Sequence, residues 1–301
     1  MNKSFLEQVR LMLQCLPIVM EDDAFALKGG TAINFFVRDM PRLSVDIDLT
    51  YLPIASREAS LIAISNALDR SGTAIRNLPA TVEKIRPADS KYVQKLLVRT
   101  PKALVKIEPN TVIRGAVFPA KELQLVAKAQ EVFETALNIS CLDEDELYAG
   151  KICAALDRQH PRDLFDMRDF FSFRKLTERL GKALVIYIAS SPRPMHELLS
   201  PNTQDISKAF GAEFQGMTAT SVSLDELLEA RSKLFATVTA CLPAKGKEFL
   251  LSLKAAAPRW ELLDYVDAKA LPAISWKLQN LEKLDKGKRS SQLSKLERAL
   301  K

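Results

Sequence analysis

The rhythm of apolar positions changes near the middle of the chain. Up to about Ala120, short runs rich in β-branched residues alternate with segments of helical spacing. Phe25–Lys28, Val45–Leu52, Tyr92–Arg99 and Ala103–Glu108 have the length and apolar pattern of strands. Thr31–Arg38 and Ser56–Arg70 predict helices, the second stopped by a Ser71-Gly72 turn. From Asp143 onward nearly every periodic segment is helical. Asp143-Glu144-Asp145-Glu146 supplies the acids that a helix N-terminus favours, and Leu147–Arg158 follows. After Pro161 comes Arg162–Phe173, with Leu164, Met167, Phe170 and Phe171 on its apolar face. Further helices are predicted over Lys175–Ala189, Leu224–Cys241, Lys247–Leu253 and Ile274–Leu284, and Lys286–Lys301 reads as a frayed amphipathic helix. The pattern predicts an α+β protein in two parts: a mixed sheet with helices over residues 1–142, then a mostly α-helical domain over 143–301.

Composition narrows the class. A chain of 301 residues suits two domains, and 47% apolar with 27% charged residues is the balance of an ordinary soluble protein. The longest apolar stretches, Leu11–Met20 and Ala183–Ala189, fall well short of the ~20 residues that cross a bilayer. The N-terminal residues carry no signal-peptide pattern. A cytoplasmic protein without a membrane partner is therefore expected. Four scattered cysteines and two histidines argue against a zinc cluster or a histidine-dependent triad. Free thiols in a reducing compartment are the simpler reading.

The net charge of +6 is unevenly placed. Lys84–Lys106 holds seven basic residues and one acid, and Lys283–Lys301 holds seven basic residues and two acids. The rest of the chain is therefore acidic. Two basic blocks on an otherwise acidic protein suit a polyanionic ligand, RNA among them.

The stretch with the most chemistry is Leu27-Lys28-Gly29-Gly30-Thr31, followed by Arg42-Leu43-Ser44-Val45-Asp46-Ile47-Asp48-Leu49. A strand running into Gly29-Gly30 with a helix starting at Thr31 lets backbone N–H groups approach an anion such as a triphosphate. Asp46 and Asp48, two residues apart on a strand, share one face while Val45, Ile47 and Leu49 pack inward. Paired carboxylates of this kind suit a hard divalent ion that also takes substrate phosphates. A pair of such ions would clamp both oxygens of a phosphoryl displacement. Glu108, in Val105-Lys106-Ile107-Glu108, offers a third carboxylate on another strand.

Together these motifs resemble the nucleotidyltransferase core of the AbiEii/AbiGii-type toxins, a MenT-like family within the polymerase-β-like superfamily. Leu147-Tyr148-Ala149-Gly150-Lys151-Ile152-Cys153-Ala154-Ala155-Leu156-Asp157-Arg158, with Arg162-Asp163-Leu164-Phe165-Asp166, is similar to the family's second signature. Arg193-Pro194, Glu213-Phe214-Gln215-Gly216-Met217-Thr218 and Leu271-Pro272-Ala273-Ile274-Ser275-Trp276-Lys277-Leu278-Gln279-Asn280-Leu281 extend the likeness over nearly the whole chain. Gly29-Gly30-Thr31 departs from the Gly-Ser of the wider superfamily, with the Thr31 hydroxyl one position later.

The resemblance implies a magnesium-dependent enzyme in which Asp46, Asp48 and Glu108 hold the metal. Gly29, Gly30, Thr31, Ser44 and Arg158 would bind the nucleoside triphosphate, and Lys151 and Asp163 would complete the catalytic set. Asp163 and Asp166 could orient Lys151 or Arg158, contact the nucleotide, or pair with Arg162. Trp276 and Phe214 read as core packing. By resemblance the acceptor is RNA, the 3′ end of a tRNA, in a toxin–antitoxin system of abortive infection with a cognate antitoxin. Transfer to a small molecule, or nucleotide or partner binding without turnover, are the alternatives.

Overall fold

The computed structural model describes residues 2–301 and is α+β, as the pattern predicts. The chain divides into two compact units. The first runs to Leu147 and takes back a short later segment, Gly216–Ser221; the second holds Tyr148–Gln215 and Val222–Lys301.

The first unit is built on a sheet of seven strands: β1 (Phe25–Lys28), β2 (Asp46–Tyr51), β3 (Thr81–Ile85), β4 (Lys95–Arg99), β5 (Leu104–Asn110), β6 (Lys121–Gln124) and β7 (Asn138–Cys141). Their order is β3-β4-β5-β2-β1-β7-β6. β2 pairs parallel to β5 and antiparallel to β1, so the Asp46–Tyr51 strand sits at the centre of the sheet. Ile47, Leu49, Leu96, Val98, Val105 and Ile107 are buried on one side. Onto that side pack α1 (Lys3–Val19), through Val9, Met12 and Leu16, and α3 (Arg57–Ile75), through Leu61, Ile64 and Leu68. Between them in sequence, α2 (Gly29–Ala32) continues as one wide turn over Ile33–Val37, closed by Arg38 N donating to Ile33 O at 2.8 Å.

Several elements differ from the sequence pattern. α3 does not stop at Ser71-Gly72. Gly72 lies inside the helix with Lys84, Val82 and Leu96 side chains 3.4–3.6 Å from where its Cβ would be, so the glycine admits the β3–β4 hairpin rather than a turn. α2 begins two residues early and takes Gly29 and Gly30 into its first turn. α1, β3, β6, β7 and α4 (Ala127–Phe133) were not predicted.

The second unit is helical. α5 (Glu144–Arg158) enters it, followed by α6 (Pro161–Phe173), α7 (Glu178–Ser190), α8 (Met195–Leu199), α9 (Ser207–Ala209), α10 (Leu224–Thr237), α11 (Ala244–Lys254), α12 (Pro272–Glu282) and α13 (Lys286–Ala299). The core helix is α7: Leu180, Ala183, Leu184, Val185, Ile186 and Ile188 are all buried, and α11 and α12 pack on it. The tail is not frayed. Asp285 Oδ1 caps α13 by accepting from Gly287 N at 2.9 Å and Lys288 N at 3.1 Å, and Leu296 is fully buried against neighbours. Among the described residues no helix is long and apolar enough to cross a membrane.

Candidate active site

The strand register aligns the carboxylates. Asp46 lies opposite Lys106 and Asp48 opposite Glu108 on the parallel β2–β5 pair, while Lys28 lies opposite Asp48 across β1–β2. Directly paired residues share a face. Lys28, Asp46, Asp48, Lys106 and Glu108 therefore stand together on the side of the sheet away from α1 and α3. Lys95 on β4 joins them, its Nζ 3.0 Å from Glu108 Oε2.

The glycines are explained by what stands against them. Gly29 has φ +72°, and a Cβ there would lie 2.6 Å from Asp48 Oδ2. A Cβ on Gly30 would lie 2.7 Å from Arg42 Nη2 and 2.9 Å from Ser44 Oγ. Any side chain would push these polar groups out of place, so the Gly-Gly pair is the floor on which Asp48 and Ser44 rest. Thr31 is buried, and its hydroxyl donates to Asp46 O at 2.5 Å and lies 3.0 Å from Ser44 Oγ. It thus ties α2 to the start of β2, and its hydroxyl is used within the protein. No side chain caps the start of α2 by hydrogen bond.

Arg42, not given a role from the sequence, is only 2% exposed and donates through Nη1 to Leu43 O at 2.8 Å. The loop it occupies is fixed from far along the chain: Leu43 N donates to Met217 O at 2.8 Å, and Arg42 bridges to Thr218. The Met217-Thr218 part of the third sequence motif thus holds the loop that carries Ser44 into Asp46. Long-range pairing of this kind leaves no periodic trace, and only recurrence of the motif pointed to it.

In the second unit, α5 and α6 bring the other predicted residues together. Lys151 Nζ lies 2.8 Å from Asp163 Oδ1 and 2.9 Å from Asp166 Oδ2, and all three side chains are buried. Arg158 reaches Asp163 with two nitrogens, at 2.5 and 3.0 Å. Burial alone would push the Asp163 carboxyl up, but Lys151 and Arg158 outweigh it and hold the group well below the usual carboxylate range. Of the roles left open for the two aspartates, the geometry shows the positioning of Lys151, with Asp163 also fixing Arg158. His160 caps α6 by accepting at Nδ1 from Arg162 N at 3.2 Å, which leaves Nε2 to donate to Glu213 at 3.1 Å. Phe214 is buried as expected, whereas Trp276 is 48% exposed and is not core packing.

The donor set suits a hard cation in part. Asp46 and Asp48 present oxygen ligands on one face, and magnesium commonly takes one or two carboxylates with the remainder from phosphates and water. Among the described residues no group of three acids, histidines or cysteines is gathered closely enough to hold a metal, and Glu108 is engaged by Lys95. Asp46 and Asp48 could thus hold such an ion, with Glu108 beside them. The basic block Lys84–Lys106 forms the β3–β4 hairpin and the start of β5; within it Lys84 pairs with Asp69 at 2.5 Å and Arg99 lies 3.9 Å from Glu83.

A sheet carrying two aspartates opposite a Gly-Gly helix start suits metal-assisted transfer of a phosphate-linked group. The chain belongs to the family described as nucleotidyl transferase AbiEii toxin, a type IV toxin–antitoxin system, whose model matches residues 10–267. Comparison with curated proteins gives no match. Among solved structures the fold is similar to MenT4, a nucleotidyltransferase toxin of Mycobacterium tuberculosis, with a TM-score of 0.59 and 17% identity over 93% of this chain and 95% of that one. The family makes the chain a nucleotidyltransferase toxin and implies a cognate antitoxin.

Proposed function

We propose that this enzyme uses magnesium and a nucleoside triphosphate to add nucleotides to RNA, with the 3′ end of a tRNA as acceptor, and so stops translation. The observation that carries this reading is the Asp46–Asp48 pair on the open face of the sheet, with the Asp48 carboxylate seated on Gly29. Asp46 and Asp48 would hold the metal, which when bound offsets phosphate charge and makes the acceptor hydroxyl more acidic. The acceptor oxygen bonds to the α-phosphorus as the bond to pyrophosphate breaks, and the hydroxyl proton passes to a carboxylate of the site.

Among the chain's own groups, Gly29 and Gly30 keep the space over the start of α2 free of side chains, and Ser44 presents a hydroxyl there. Glu108, level with Asp48 on the neighbouring strand, or Asp48 itself would receive the proton. Lys151, Arg158 and Asp163 carry over from the family signature to the handling of the triphosphate. Their support is preorganisation: Lys151 is buried against Asp163 and Asp166, and buried Asp163 also holds the exposed Arg158, so the cations are fixed before substrate arrives, as transition-state charge stabilisation requires. A polyanionic acceptor is supported by Lys106 and Arg99, which share the open face with the carboxylates on the neighbouring strands β5 and β4. The test is incubation of the purified protein with total RNA, magnesium and each labelled triphosphate in turn. Label should enter a tRNA-sized band, and labelling of small molecules alone would refute the RNA reading.

A further inference from the structure

The helical unit contains a largely apolar cavity with buried cations in its wall, whose residues the proposed reaction does not use. It encloses about 210 Å³ between the 192–195 turn, α11, α12 and α13, and Arg193, Lys254, Trp276, Lys277, Asn280 and Gln292 line it. Lys254 and Lys277 are 3% and 7% exposed, yet among the described residues neither has a carboxylate within ion-pair distance. Lys277 Nζ donates to the Arg193 carbonyl at 3.0 Å, and Lys254 Nζ donates to Gln292 Oε1. Both acceptors are neutral. The Arg193 guanidinium is different, being matched by Asp157 at 2.6 Å with Glu197 at 3.7 Å.

Burying two ammonium groups with no carboxylate in ion-pair contact is costly, even with Glu197 near enough to favour the charged form of Lys254, and each would be more stable as an apolar residue of the same size. Burial, with Lys254 beside it, pushes Lys277 down to about 8, and burial pushes Lys254 down as well. A protein that keeps such charges at a cavity wall has a place for an anion. The remaining lining says which anion. Trp276 lines the cavity and is half-exposed, and an indole so placed can stack on a ring. Asn280 and Gln292 add carboxamides that can read the edge of a heterocycle.

We propose that this cavity binds a ribonucleoside monophosphate, with the phosphate against Lys254 and Lys277 and the base on Trp276. The cavity is of single-nucleotide scale, too small for a folded polyanion to enter. It shares no residue with the Asp46–Asp48 cluster, so its occupancy does not depend on the catalytic reading.

The test uses the full chain carrying Asp46→Asn and Asp48→Asn, in chelator, which removes metal-linked binding at the sheet. Each of the four ribonucleoside 5′-monophosphates is titrated in a calorimeter, with inorganic phosphate and the matching nucleoside as controls. At least one monophosphate should bind at one site with Kd below about 1 mM, and the nucleoside should not bind. Lys254→Met with Lys277→Met should weaken binding about 30-fold or more, and Trp276→Leu about 10-fold. The methionine variant should melt no lower than its parent, so lost affinity cannot be unfolding. No saturable binding by any monophosphate, or equal affinity in the lysine variant, would overturn the site. Phosphate binding as tightly as the nucleotide, with no effect of Trp276→Leu, would overturn the nucleotide assignment.

Discussion

A side-chain carbon on Gly29 would stand 2.6 Å from Asp48 Oδ2, closer than non-bonded atoms approach, and the backbone there has φ +72°. Two independent constraints therefore demand glycine beside one of the two aspartates that define the site. Gly29→Ala should displace the Asp48 carboxylate and cut nucleotide transfer at least ~10²-fold, the scale of losing one preorganised charge contact. The left-handed backbone adds about 1–2 kcal/mol of strain, so the variant should remain folded. Transfer kinetics with circular dichroism check this; a folded variant with full activity would show that Asp48 tolerates movement.

Lys151 should behave as a buried charge whose removal costs more than activity. Lys151→Met leaves Asp163 and Asp166 buried, with Arg158 still paired to Asp163. Breaking a buried pair typically costs about 3–5 kcal/mol, and denaturant midpoints would register it. Lys283→Met, on the tail, should cost less than ~0.5 kcal/mol.

Acid should expose the same network. The folded-state Asp163 group titrates below its ordinary value near 3.8, so the unfolded chain binds the proton first as pH falls. The stability from this group is complete above the unfolded value and is lost as pH drops below about 4 towards the folded value. Asp163→Asn should flatten the acid limb of the stability curve. An unchanged limb would show that the ion pairs contribute nothing.

Lys277 gives a slope of the same sign at alkaline pH. Its folded value is about 8 against 10.5 unfolded, so between these limits the unfolded chain holds the extra proton and stability rises with pH. Lys254, lowered by burial with Glu197 partly offsetting it, acts in the same direction, whereas the Cys153 thiol, raised by burial above its ordinary 9.0, acts against it above about pH 9. Lys277→Met should therefore be more stable than the parent by up to about 3 kcal/mol at pH 7. That advantage should shrink from pH 8 to 10.5. A variant less stable at pH 7 would contradict the account of an unpaired buried ammonium.

Lys106 and Arg99 were placed by the β4–β5 register on the face that carries the carboxylates. Changing both to Gln should weaken tRNA binding and reduce the slope of log affinity against log salt by about 1–2. Filter binding across a salt series measures this, and an unchanged slope would remove that face from the acceptor path. Lys95 is left intact because it holds Glu108.

The parts of the fold with local signals were legible. Phe25–Lys28 and the Asp46–Tyr51 strand are short apolar runs with clear ends, and α6, α7, α10, α11 and α12 are punctuated by proline and capping residues, whereas the short α8 and α9 were not predicted. α1 was missed because its apolar run crosses Pro17, which lies within the helix. β3 was missed because its Thr-Val-Glu-Lys-Ile pattern is that of a largely exposed edge strand, stabilised by pairing with β4 rather than by burial. Gly72 reads as a turn because sequence shows that a side chain is missing, not which neighbour needs the space. The Asp46–Asp48 pair could be found because a period of two places both on one face. The roles of Arg42, Met217 and Trp276 depend on contacts or exposure set by tertiary packing, which spacing cannot encode.

The central claim is that Asp46 and Asp48 make this protein a metal-dependent nucleotidyltransferase acting on RNA. The most direct measurement compares wild type with Asp48→Asn, matched for folding, in transfer of labelled nucleotide to purified tRNA with magnesium and with chelator. Wild type should label the RNA only with magnesium, and Asp48→Asn should fall by at least about 10³-fold. Equal labelling by the variant, or undiminished labelling in chelator, would contradict it.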